Sequence, residues 1–105
     1  MADVQKFFKD TLPASLANKP ELSEEIDNTY QFDIEGAGTW TVDLTVTPGE
    51  VREGPTEEPG CTVTAKEEDF GTLLDNPASG MMLFTMGKLK VSNVGLALSL
   101  QKILS

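Results

Sequence analysis

The chain has 105 residues, with seventeen Asp and Glu against eight Lys and Arg, a formal charge of −9, no histidine and a single cysteine. That length predicts one domain over 1–105, because a core this small buries only about two-thirds of the unfolded surface and leaves too little to divide. The acidity excludes nucleic acid as a partner, since phosphates demand clustered Lys and Arg; the missing histidine excludes a His-based triad or histidine metal site.

Asp3 is placed to cap a first helix through Asp10, with Val4, Phe7 and Phe8 at i, i+3 and i+4 as its buried stripe. Pro13 suits a first turn and restarts a short helix over 13–17, which ends before Pro20 in a connector over 21–25. From Asn28 the period becomes two. Tyr30, Phe32 and Ile34 alternate with Gln31, Asp33 and Glu35, the pattern of a strand with one buried face. After a turn at 36–38, Trp40, Val42, Leu44 and Val46 lie opposite Thr39, Thr41, Asp43, Thr45 and Thr47, which predicts an antiparallel hairpin.

Residues 48–60 hold three Pro, three Gly and four carboxylates, the composition of an exposed loop without chemistry. Cys61, Val63 and Ala65 then alternate with Thr62, Thr64 and Lys66 as a third strand. Thr64 and Glu67 have the spacing of a capping box for a helix that buries Phe70, Leu73 and Leu74, with Glu67, Glu68 and Asp69 complementing its dipole. Asn76 caps and Pro77 opens a further helix holding Met81, Met82, Leu83, Phe84 and Met86, ended by Gly87. Lys88 to Ser92 alternates as a strand with Leu89 and Val91 inward, and Asn93 caps a terminal helix over 94–104.

Charge is distributed unevenly along this series. Residues 1–75 carry five cations and all seventeen carboxylates, net −12, whereas 76–105 carry only Lys88, Lys90 and Lys102, net +3. In the terminal helix Leu96, Leu100, Ile103 and Leu104 form one stripe and Val94 and Leu98 a second, leaving Ser99, Lys102 and Ser105 as a narrow polar edge. Such a helix is either enclosed on nearly all sides or faces an apolar ligand. Met81, Met82 and Met86 suit either an adaptable core or a site that accepts ligands of varied shape.

The tail is interrupted by Ser92, Asn93, Ser99, Gln101 and Lys102, short of the roughly 18 apolar residues that span a bilayer. The charged, amphipathic start is not a secretory signal. Transient contact of the acid-free stretch with a membrane, through Lys88, Lys90 or Lys102 at the headgroups, stays open. A lone Cys61 excludes an internal disulfide and a multi-cysteine zinc site and fits a reducing compartment, so the expected location is cytoplasmic. It alternates on a strand as a small buried residue rather than as a nucleophile, and Glu67, Glu68 and Asp69 read as helix-start charges rather than acid–base catalysts. No catalytic residue, metal or cofactor is expected.

The run Cys61-Thr62-Val63-Thr64, then Asp69-Phe70, Asn76-Pro77, and Gly87-Lys88-Leu89-Lys90-Val91 through Gly95-Leu96-Ala97-Leu98 resembles the sterol carrier protein 2 family in residues, order and spacing. Phe7-Phe8, Leu12-Pro13, Tyr30-Gln31-Phe32-Asp33-Ile34 and Trp40-Thr41-Val42-Asp43-Leu44 agree in the front half, as in bacterial stand-alone members, so the resemblance covers nearly the whole chain. It implies an α/β (α+β) fold with a five-stranded, mostly antiparallel sheet covered on one face by helices, around an apolar tunnel that takes sterol, fatty acid, fatty acyl-CoA or phospholipid. Periodicity reveals four strands, so a fifth short one lies in a segment read as loop or helix. The closing Ile103-Leu104-Ser105 lacks the peroxisomal S-K-L character that eukaryotic members carry.

On this reading Phe70, Leu74, Met81, Met82, Phe84, Met86, Leu89, Leu96, Leu100, Ile103 and Leu104 are the expected lipid-binding residues, each equally suited to plain core. Lys88 and Lys90 are either simply solvated or meet the ligand's carboxylate or phosphate. The alternative to a carrier is an interaction or dimerisation module that uses the apolar C-terminal helix, and both monomer and homodimer fit the composition.

Overall fold

A computed structural model describes residues 3–104; Met1, Ala2 and Ser105, the last of them assigned above to the polar edge of the terminal helix, lie outside the described residues. Strands β1 (Thr29–Glu35), β2 (Gly38–Asp43), β3 (Glu50–Glu53), β4 (Cys61–Lys66) and β5 (Leu89–Val91) form one sheet in the order β3-β2-β1-β4-β5. β1 and β4 run parallel, with Tyr30 beside Cys61 and Phe32 beside Val63, and the other neighbours are antiparallel. Tyr30, Phe32 and Ile34 of β1 and Cys61, Val63 and Ala65 of β4 are buried, while the residues between them are only partly covered or exposed. The period of two thus creates one apolar face for the helices and one polar face for water.

The N-terminal helix does not stop near Asp10. Asp3 Oδ1 accepts the Lys6 N–H at 3.1 Å and starts α1 (Val4–Lys6), which passes through a π-helical turn (Phe7–Thr11) into α2 (Leu12–Asn18). Pro13 has no N–H, and in an α-helix its ring would crowd the carbonyl four residues back. The wider turn, in which the Leu12 N–H reaches the Phe7 carbonyl, carries the helix past that obstacle. Val4, Phe8, Leu12 and Leu16 then form one buried stripe at a spacing of four.

The segment expected as a connector is helical: α3 (Glu21–Ile26) has Glu21 and Glu24 in its first turn, packs Leu22 and Ile26 against the core, and ends at Asp27 with a left-handed φ of 46°. The loop expected over 48–60 contains β3, the fifth strand. Composition hid it because Val51 is its one apolar residue, paired with Val42, while Glu50, Arg52 and Glu53 are exposed. Charged side chains are what an edge strand needs to discourage further pairing. β2 in turn ends at Asp43 and does not reach Thr47, because the Asp43 carboxylate accepts the Thr45 N–H at 2.9 Å and the Thr45 hydroxyl and so turns the chain. Leu44 remains buried but Val46 is exposed.

The expected capping box at Thr64 and Glu67 does not form. Thr64 stays in the ladder opposite Lys90, and Lys66 takes the cap position of α4 (Glu67–Asp75) without a side-chain bond, leaving the acidic first turn to stabilise the helix start. Asn76 Oδ1 accepts the Ala78 N–H at 3.2 Å to cap a 3₁₀ turn (Pro77–Ser79) that leads into α5 (Gly80–Thr85). Asn93 Oδ1 accepts the Leu96 N–H at 3.1 Å at the start of α6 (Val94–Leu104).

Beneath α1 and α2 the Phe8 ring stacks on Trp40 at 5.1 Å and on Phe70 at 5.6 Å, with Phe32 edge-on to Phe70 at 5.7 Å. This cluster fills one end of the core and anchors the N-terminal helices over β1 and β2.

Two outcomes test these packing arguments. A Cβ at Gly60 would stand 1.9 Å from Asn28 Oδ1, which accepts the Thr29 N–H at the start of β1; Gly60→Ala should cost about 1–3 kcal/mol in urea denaturation. The Thr45 hydroxyl, helped by Arg52 and opposed by burial, holds the Asp43 carboxyl below its ordinary value. A depressed carboxyl stabilises the fold above the ordinary Asp range and loses that contribution as pH falls through the depressed value. Asp43→Ala should therefore lower stability at neutral pH and flatten the decline measured from about pH 5 downward.

Candidate functional site

An apolar cavity of about 160 Å³ lies between the α4–α5 segment, β5 and α6. Leu73 of α4, Leu89 of β5 and Leu100 of α6 are buried and form its floor, while Pro77, Gly80, Val91, Ala97 and Leu104 line its sides. Met81 and Phe84 of α5 face Val94 and Leu98 of α6 across an open mouth; Met81 is 64% exposed and Leu98 60%. None of these side chains is charged or carries a hydroxyl or amide, so the groove offers mainly hydrocarbon for contact. Apolar side chains gathered and exposed in this way make the groove the candidate site.

Local sequence explains the opening. Gly80 lets α5 approach α4, since a Cβ there would lie 3.2 Å from Leu73 Cδ1. α6 is fastened to the sheet on one side: Leu100 and Ile103 are buried, the Tyr30 hydroxyl donates to the Leu96 carbonyl at 2.7 Å, and Lys102 Nζ meets Glu25 at 2.6 Å. That ion pair engages one of the lysines considered above for headgroups. Burial pushes the Tyr30 phenol well above its ordinary value, and the neighbouring Cys61 adds to the effect while a Ser99 hydrogen bond opposes it. Cys61 itself is buried and sits 3.5 Å from the Asn93 carbonyl.

Of the residues expected to surround a ligand, Met81, Phe84, Leu89, Leu100 and Leu104 line this groove. Phe70 lies in the aromatic cluster, Ile103 in the core, and Leu74 packs partly buried against that core. Leu96 is half-covered and points towards Gly60, whereas Met82 and Met86 are exposed and outside the lining. Leu73, Pro77, Gly80, Val91, Val94, Ala97 and Leu98 line the groove without having been named for it. Val94 and Leu98 had a signal in the second apolar stripe of the helix, and Val91 in strand alternation; Gly80 and Ala97 are too small for any hydrophobicity pattern to single out.

On the other side of β5 a polar groove of about 290 Å³ is lined by Lys66, Lys88 and Lys90 together with Glu35, Asp69 and Thr64. Among the described residues no group of three or more His, Cys, Asp or Glu is placed to hold a metal ion, and no helix is long and apolar enough to cross a membrane.

Comparison with known proteins places this geometry. The model of the SCP-2 sterol transfer family matches residues 8–105. Sterol carrier protein 2 of Homo sapiens is 35% identical over 89 residues, covering 79% of this chain and 16% of that protein. Hydroxysteroid dehydrogenase-like protein 2 of Bos taurus is 30% identical over 95 residues, covering 83% of this chain and 23% of that protein. The chain therefore spans less than a quarter of these curated relatives. The apo structure of sterol carrier protein 2 from Yarrowia lipolytica superposes with a TM-score of 0.76 at 27% identity, covering 96% of this chain and 86% of that one.

The Tyr30–Leu96 bond gives a direct test of how α6 is fastened. Tyr30→Phe should cost about 0.5–1.5 kcal/mol at neutral pH. A phenol raised on folding stabilises fully below its ordinary value and loses that contribution as pH rises above about 10. The variant should therefore lose less stability than the parent on the alkaline side in chemical denaturation.

Proposed function

This chain belongs to the SCP-2 sterol transfer family, and from that premise we propose that it is a non-enzymatic carrier that holds the hydrocarbon of a lipid in the groove between α5, β5 and α6. The observation that carries the reading is a solvent-open groove lined only by apolar side chains, in a chain of net charge −9. Transfer of a chain from water into such a lining gains about 0.8 kcal/mol per methylene, so affinity comes from buried area and not from particular bonds.

Among fatty acid, fatty acyl-CoA, phospholipid and sterol, a single acyl chain suits the groove best. A volume of about 160 Å³ is close to the ~150 Å³ apolar cavity that admits a benzene-sized guest, and below the ~300–1,000 Å³ common for ligand pockets. A narrow chain entering by its end needs little widening, whereas a rigid sterol requires α5 and α6 to part further into a tunnel. The headgroup stays at the mouth, outside the apolar lining. No catalysis is assigned to the groove, whose lining holds no titratable or nucleophilic side chain.

Native mass spectrometry of the freshly purified protein should show lipid adducts, and a fluorescent fatty acid should bind saturably. Leu98→Glu, which puts a carboxylate at the mouth, and Ala97→Trp, which fills the groove, should each weaken uptake about tenfold or more, a loss of about 1.4 kcal/mol. Undiminished uptake by both folded variants would place the cargo elsewhere. A lipid-free dimer would instead favour the interaction-module reading.

A further inference from the structure

We infer that the free edge of β5 is a docking site for an extended, acidic segment of a partner protein. The segment adds to the sheet as a further strand, with carboxylates on the lysine side and apolar residues on the groove side. This goes beyond the carrier reading and does not rest on it, since it uses the backbone of β5 and the sheet face behind the groove.

The backbone of β5 turns the necessary groups outward. In the antiparallel register with β4, Thr64 lies opposite Lys90, and the ladder ends where the Ser92 N–H donates to the Thr62 carbonyl at 3.0 Å. Hydrogen-bonded and open pairs alternate along such a ladder. Bonding at Ser92 therefore recurs at Lys90, and Leu89 and Val91 point their N–H and C=O groups away from β4. β5 is the last strand of the sheet, and among the described residues these groups meet no other backbone partner. An antiparallel strand laid along them makes about four main-chain hydrogen bonds.

Side chains set the chemistry of the incoming strand. Residues placed opposite Leu89 and Val91 share their face, beside the apolar groove, and the residues between share the face of Lys90. Lys66, Lys88 and Lys90 are exposed and line the polar groove on that face. None of the three has a carboxylate within ion-pairing distance among the described residues, in contrast to Arg52 and Lys102. Of the carboxylates in the same groove, Glu35 stands on β1, two strands inward, and Asp69 in the first turn of α4, which leaves the edge itself positive. Residues 76–105, which supply β5 and the helices on either side of it in the chain, hold no Asp or Glu. A strand that alternates carboxylates with β-branched or aromatic residues matches both faces at once.

Lysine on a short edge strand is also the ordinary guard against unwanted pairing. Here the guard discriminates, because it repels basic strands and attracts acidic ones. The other edge, β3, presents Glu50 and Glu53 and repels the same segment, so one edge of the sheet is selected. A second copy of the chain is a poor occupant: its β5 sets lysines against lysines, and its β3 carries Arg52 between Glu50 and Glu53.

The probe is a short fluorescein-labelled peptide that alternates Glu with Val, titrated with the full chain and followed by fluorescence anisotropy. Binding should saturate below about 1 mM and weaken as salt rises. Lys90→Glu should weaken it about fivefold and admit a Lys-Val peptide instead. Val91→Pro removes an outward N–H that β4 does not use, a change an edge strand tolerates; it should abolish binding with the circular dichroism of the parent. N-methylation of the peptide amides that face β5 should cause the same loss with the protein unaltered. No saturation by the parent overturns the proposal, as does equal binding of the N-methylated peptide, which reduces the contact to charge alone. So does a dimer in analytical ultracentrifugation that Val91→Pro dissolves. Fluorescent fatty acid titration is scored apart: uptake without peptide binding removes the docking edge and leaves the carrier reading standing, and peptide binding without uptake does the reverse.

Discussion

The feature on which the structure turns is that α6 is apolar around most of its circumference but can press only one side against the sheet. Leu100 and Ile103 fill the interface with the core, and the Tyr30 hydroxyl, itself pinned in β1, holds the Leu96 carbonyl at 2.7 Å. That attachment fixes the roll of the helix. Val94 and Leu98 are then turned away from the sheet towards α5, which has its own unburied Met81 and Phe84. Among the described residues no segment covers both, so the gap persists as a groove.

Sheet topology decides what surrounds that groove. The parallel pairing of β1 with β4 separates them in sequence by the β2–β3 excursion and leaves β5 to complete the sheet at its edge. Because successive residues of a strand face opposite ways, three residues of β5 and the lysine before them serve two environments: leucine and valine towards hydrocarbon, lysines towards water. The opposite edge, β3, is charged and bonded to little beyond β2, and there Arg52 lies 3.8 Å from Asp43 and 3.6 Å from Glu50. Exposed pairs of this kind contribute little stability, and their main effect is to keep that edge soluble.

The departures from the sequence reading have separate causes. β3 was invisible because an edge strand needs only Val51 inside, and one valine among Pro, Gly and Glu makes no periodicity. α3 was read as connector because Leu22 and Ile26 are too few to establish a period, and the helix persists through its packing against the core. At Pro13 the sequence predicts a break, whereas a π-helical turn removes the conflict between the proline ring and the preceding carbonyl. Thr64 had the spacing of a cap but was already committed to a ladder with β5.

Alternation in β1, β2 and β4, the helix signals around Phe70, Asn76 and Asn93, and the concentration of apolar, acid-free residues after position 75 were all determined by the sequence, because each rests on neighbours within a few residues of one another. Which apolar side chains look into the groove was decided only by tertiary structure. Phe70 and Phe84 are the same residue type on neighbouring helices, yet one is enclosed by Phe8 and Phe32 and the other stands at the mouth. The difference arises from where α1 and α6 settle on the sheet. Burial depends on contacts between segments far apart in the chain, and local pattern carries no record of them.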